Sequence, residues 1–120
     1  MPFIKVKTNS PISKEQETVL KSRMGNAIEL VPGKSEEYLL LEFESNSHLW
    51  LRGDNSAPIV YIEAAIFGNE RHAGYPEFTA EVTGIFQEVL GVDPGNCYIK
   101  YEDITAWGAS GRYVDRRMFR

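Results

Sequence analysis

The chain has 120 residues, 42% hydrophobic and 25% charged, with a formal net charge of -4. This is the balance of a single folded domain over residues 1–120, with no basic field to attract nucleic acid or anionic lipid. Its one cysteine, Cys97, excludes an internal disulfide and a cysteine-based zinc cluster, while the lack of a long apolar run or signal-peptide core points to a cytoplasmic protein without membrane partners.

Met1-Pro2 opens the chain and Phe3-Ile4-Lys5-Val6-Lys7-Thr8 follows, alternating apolar and polar as a strand with one face toward a core. Once the initiator Met is removed, Pro2 presents a secondary amine on a rigid ring. Terminal amines titrate near about 8, and burial or a neighbouring cation lowers that value toward neutrality, which makes a usable general base. While Met1 remains attached, the same nitrogen is an amide without basicity. Many chains begin Met-Pro, so the remaining elements decide what the dipeptide means.

Asn9-Ser10-Pro11 breaks the strand, and Ser13-Lys14-Glu15-Gln16 has the form of a capping box. Val19, Leu20, Met24, Ala27, Ile28 and Val31 then recur at helical spacing until Pro32-Gly33 ends the helix. Residues Tyr38 to Phe43 are expected to form a second strand, too apolar to have a free face. The order then repeats. Ile59 to Phe67 is a strand, Gly68 and Gly74 bound a loop, and Pro76 opens a helix with the stripe Phe78, Val82, Ile85, Phe86, Val89 and Leu90. Pro94-Gly95 stops it before a strand at Tyr98-Ile99-Lys100-Tyr101. Tyr38 corresponds to Tyr98, and Pro32-Gly33 to Pro94-Gly95, at nearly constant offset. Each strand-helix-strand unit requires parallel strands with the helix on one side. The pair predicts an α/β (α+β) fold: a tandem β-α-β repeat forming a four-stranded mixed sheet with both helices on one face. The other face, read as apolar, needs cover, and self-association is the economical source.

These residues resemble the tautomerase superfamily, in the branch of macrophage migration inhibitory factor and D-dopachrome tautomerase. The resemblance rests on Met1-Pro2-Phe3-Ile4 with Thr8-Asn9, Pro32-Gly33-Lys34, Ala57-Pro58, Phe67-Gly68 and Tyr98-Ile99-Lys100-Tyr101, in that order and spacing. It implies a homotrimer whose sheets face a central channel, with a cofactor-free active site at each subunit boundary. Pro2 matches the catalytic proline and Lys34 the lysine that helps bind the substrate's acidic group. Phe67 stands where the family commonly has an aliphatic residue whose backbone contacts ligand. Tyr98 and Lys100 match residues contributed by the neighbouring subunit; Lys100 is often Asn, though basic in the dopachrome branch. Trp107-Gly108-Ala109-Ser110-Gly111 replaces the usual Trp-Gly-Trp-Asn-Gly, so one aromatic wall is missing. The cytokine's Cys-x-x-Cys has no counterpart in Pro58-Ile59-Val60-Tyr61, and the tail from Tyr113 to Arg120 is unusually basic.

Such a site would tautomerise small phenylpyruvate-like or dopachrome-like acids, with Pro2 as acid–base group, Lys34 and Lys100 as anion contacts, and Phe67, Tyr98 and Trp107 as an aromatic surround. Phe3 reads rather as core. Rival readings are a cytokine-like binding protein with vestigial catalysis, or a decarboxylase, dehalogenase or hydratase on the same scaffold. Arg52-Gly53-Asp54 is read as an ordinary turn, and His48 and His72 share no metal-ligand spacing. Arg112, Arg116 and Arg117 could touch a phosphate, but are expected rather as a solvated tail or paired with acids across a trimer contact.

Overall fold

Alternation in the opening residues builds the first strand, β1 (Pro2–Thr8), in the computed structural model, which describes residues 1–119. Pro2, Ile4, Val6 and Thr8 are buried, whereas Phe3, Lys5 and Lys7 point to the opposite sheet face. Thr8 satisfies its buried hydroxyl by donating to the Ile59 carbonyl at 2.6 Å, which avoids the cost of an unpaired polar group. Helix α1 (Lys14–Ala27) begins at the expected capping box: Gln16 N donates to Ser13 Oγ at 3.1 Å and Ser13 N to Gln16 Oε1 at 2.9 Å. Leu20, Met24 and Ala27 are buried, but Val19 lies outside the stripe, 44% exposed.

Strand β2 (Leu40–Glu44) starts after Tyr38, which closes a 3-10 turn over Glu36–Tyr38. β3 (Val60–Phe67), helix α2 (Tyr75–Leu90) and β4 (Cys97–Ile104) complete the second unit. The sheet order is β2-β1-β3-β4, with β1 parallel to β2, β3 parallel to β4, and β1 antiparallel to β3. Phe78, Val82, Ile85 and Phe86 of α2 join Leu20, Met24 and Ile28 against the sheet, so both helices cover one face.

The second sheet face differs from the apolar surface expected. Leu40, Glu42 and Glu44 point away from the core on β2, as do Tyr61, Glu63 and Ala65 on β3 and Tyr98, Lys100 and Glu102 on β4. Lys5 lies between Glu42 and Glu63 in register, Lys7 reaches Glu44 at 3.7 Å, and Lys100 reaches Glu63 at 3.8 Å. Opposite charges therefore alternate across neighbouring strands, a stabilising cross-strand pattern. Phe3 belongs to this face, opposite Leu40 and Ala65, rather than to the core. The expectation of a doubly apolar strand failed because Glu42 and Glu44 occupy the outward positions of an otherwise apolar run.

A hairpin that sequence patterning missed follows: β5 (Ala106–Ala109) pairs with β6 (Arg112–Asp115). Ser110 and Gly111 both have positive φ, 55° and 77°, the backbone of a two-residue hairpin turn matched to strand twist. What was read as a solvated tail is thus anchored. Asp115 accepts from the Tyr113 hydroxyl and from the Arg117 backbone and guanidinium at 2.7–3.0 Å; Arg117 holds this carboxyl far below the usual carboxylate range. Arg116 pairs with Glu70 at 3.4 Å, so two of the three tail arginines find acids within the chain. Arg120 lies outside the described residues. Among those residues, no helix is long and apolar enough to cross a membrane.

Candidate functional site

Because β1 begins at Pro2, the N-terminal end of the chain sits where two segments with special backbone geometry meet. Gly33, with φ 77°, turns the chain after α1 and delivers Lys34, while Gly68, with φ 87°, turns it away after β3. A side chain on Gly68 would touch Lys34 Nζ at 3.4 Å. Glycine's freedom at positive φ and its lack of Cβ both serve this approach. The Lys34 ammonium donates to the Phe67 carbonyl at 2.7 Å, and Phe67 N donates to the Met1 carbonyl at 3.4 Å. Phe67 thereby ties Lys34 and the first residue together through its backbone. Its ring packs edge-on against Phe119, with centroids 6.1 Å apart.

The electrostatic consequence is large. Burial, then the charge of Lys34 and its hydrogen bond, lower the Met1 amine from 8.0 to about 6. Each cause disfavours an additional positive charge here.

Two open clefts meet at Met1. One, of about 710 Å³, runs past Pro2, Tyr38, Leu40, Trp107 and Ala109. The other, of about 700 Å³, is bordered by Lys34, Phe67, Glu70, Arg71, Arg116 and Phe119. Of the residues selected from sequence, Pro2, Lys34, Phe67 and Trp107 therefore gather around the chain start. Tyr98 and Lys100 do not join them. They lie on the sheet face opposite Pro2, both exposed, with Lys100 beside Tyr61 and Glu63, whose negative character raises its pKa. Successive strand side chains alternate faces, which puts Tyr98 and Lys100 on the far side of the sheet from the Pro2 side chain.

Sequence reading missed Glu70, Arg71 and Phe119, and took Arg116 only as a tail charge. The two basic positions were visible as residues, but only the folded loop and C-terminal turn bring them to Lys34. That loop is held firmly. Asn69 both donates to and accepts from Ala73, at 2.8 and 3.2 Å, and His72 contacts both Asp103 carboxylate oxygens at 2.9 and 2.8 Å. The His72 ring stacks on Tyr75 with centroids 4.8 Å apart, and Tyr75 on Tyr101 at 4.4 Å. Cys97, half-buried at the start of β4, accepts from Thr83, and burial raises its thiol pKa, the opposite of nucleophilic activation. Arg52-Gly53-Asp54 lies in a tight turn closed by reciprocal Leu51–Asp54 backbone hydrogen bonds of 3.0 Å.

Comparison with known proteins gives a consistent fold. The family model described as macrophage migration inhibitory factor (MIF) matches residues 1–112. Among solved structures, Leishmania major MIF2 superposes with TM-score 0.86 at 18% identity, covering 95% of this chain and 97% of that one. The macrophage migration inhibitory factor homologue from Prochlorococcus marinus gives 0.80 at 24% identity, covering 92% and 97%. The factor from Oncomelania hupensis gives 0.80 at 21%, covering 98% and 85%. No curated protein sequence matches the chain at a comparable level.

Proposed function

The chain belongs to the macrophage migration inhibitory factor family, and on that premise we propose that it is a homotrimeric cytoplasmic tautomerase acting on phenylpyruvate-like or dopachrome-like small acids. One observation carries the reading: the start of β1 is an environment that lowers a terminal amine to about 6. After removal of Met1, the Pro2 nitrogen becomes the terminal amine beside Lys34. Burial and a nearby cation there disfavour its charged form, as a general base that must also return the proton requires.

In this mechanism the Pro2 amine takes the enol hydroxyl proton, and its conjugate acid delivers a proton to the adjacent carbon. The amine is regenerated, and no redox change or cofactor is involved. Lys34 holds the substrate carboxylate and opposes the enolate charge that develops in between. Phe67 and Trp107 supply apolar walls that exclude water from the reacting carbon. Ala109 leaves the Trp107 side open where relatives carry a second tryptophan, which favours a bulkier or more polar substituent.

Trimer formation would bring Tyr98 and Lys100 of the partner subunit to this cleft, since each chain carries them on the sheet face opposite its own Pro2. The exposed Tyr38, Leu40, Trp50 and Tyr98 supply apolar contact area, and the charged lattice supplies directional pairing. The test combines sedimentation with a phenylpyruvate ketonisation assay on protein whose N-terminal mass confirms loss of Met1. A trimer with turnover is expected. A soluble monomer at micromolar concentration contradicts the shared site, while a trimer without turnover favours the cytokine-like binding role.

A further inference from the structure

The cleft beside Lys34 carries more positive charge than a monocarboxylate requires: Lys34, Arg71 and Arg116 border it against one acid, Glu70. The two arginines arrive on separate, fixed segments. Arg71 lies between anchored neighbours, because Asn69 is locked to Ala73 and His72 to Asp103. Arg116 begins the C-terminal turn with its backbone N–H donating to the Thr105 carbonyl at 3.0 Å. None of the ion pairs among the described residues involves Arg71. The Arg116–Glu70 contact, at 3.4 Å, is longer than a tight charge-assisted bond of about 2.7–2.9 Å, and a guanidinium has five donors to share. Phe67 and Phe119 meet edge-on beside these cations, giving the cleft an aromatic wall with a cationic rim.

Resting on the tautomerase reading of the site, we propose that its substrates are 2-oxo acids bearing a second carboxylate at the far end. Lys34 holds the carboxylate next to the reacting carbon. Arg71 and Arg116 hold the distal one, and the aromatic pair packs along the span between them. A monocarboxylate such as phenylpyruvate fills only the Lys34 contact.

The test needs no turnover. Cinnamate and 4-carboxycinnamate are unreactive probes that differ only by the distal carboxylate, and their affinities are measured by calorimetry on the processed protein. The dicarboxylate should bind about tenfold more tightly at low salt, a difference eroded as ionic strength rises. Arg71→Ala and Arg116→Gln should each shrink the preference several-fold, and Glu70→Gln should enlarge it. Equal affinity for the two probes, or a preference untouched by both arginine variants, overturns the proposal even if phenylpyruvate is turned over. A preference that responds to the variants sustains the second anion contact even if the tautomerase assay fails.

Discussion

A molecule that keeps Met1 is expected to turn over phenylpyruvate about 10²–10⁴-fold more slowly than the processed form, the usual worth of a positioned general base. The reason is chemical rather than steric alone. With Met1 attached, the Pro2 nitrogen is an amide whose lone pair is delocalised, and Met1 stands between the two clefts, lining both. The Met1 amine itself has a lowered pKa and supplies residual proton transfer, but it is primary and displaced from the Pro2 nitrogen by one residue. Adding an alanine before Pro2 should act the same way. Fold and assembly should survive in both, because the strand is held by Ile4, Val6 and Thr8. Equal rates from processed and extended proteins, each verified by mass, would remove Pro2 from the chemistry.

The second large effect concerns Lys34. Lys34→Ala should raise KM for a carboxylate substrate about 10–100-fold, since a hydrogen bond to a charged group is worth about 1.5–3 kcal/mol. It should also move the pH–rate profile in a defined direction. The amine must be neutral to act as base, so the rate rises with pH through its pKa. Burial, and then the charge and hydrogen bond of Lys34, lower the pKa of the Met1 amine at this place; a cation near the Pro2 amine acts in the same direction, so the loss of Lys34 shifts the rising limb to higher pH. Lys34→Arg keeps the charge and should restore much of the low limb. An unmoved profile with unchanged KM would reduce Lys34 to a structural tie on the Phe67 carbonyl.

How much of this was legible beforehand depended on whether the signal was local. Ser13 and Gln16 announced the start of α1 because capping is decided within four residues, but the helix ends fell earlier than Pro32-Gly33 and Pro94-Gly95: α1 gives way to a 3-10 turn at Ile28–Leu30, and Gly91, in the left-handed conformation, caps α2 before Pro94 opens a 3-10 turn of its own. The doubled order of elements followed, and with it the sheet. Alternation at Tyr98 and Lys100 correctly placed both side chains on one face. The same rule applied to Leu40–Glu44 would have revealed Glu42 and Glu44 facing outward, but the aliphatic run obscured it. The Ser110-Gly111 turn was a usable hairpin signal that was overlooked beside the basic residues following it. By contrast, no local pattern links Arg71 to Arg116 or His72 to Asp103. Those neighbours meet only because the β3–α2 loop is brought beside the end of β4 and the C-terminal turn, which is a property of packing rather than of any segment.

The central claim, that the Pro2 amine is the acid–base group, is tested most directly by titrating its nitrogen in the processed protein by nitrogen-15 NMR. The midpoint should lie well below the ordinary terminal-amine value of about 8, as burial and Lys34 require, and should coincide with the rising limb of the pH–rate profile for phenylpyruvate. A midpoint at or above that ordinary value, or a rate limb that does not track it, would contradict the account.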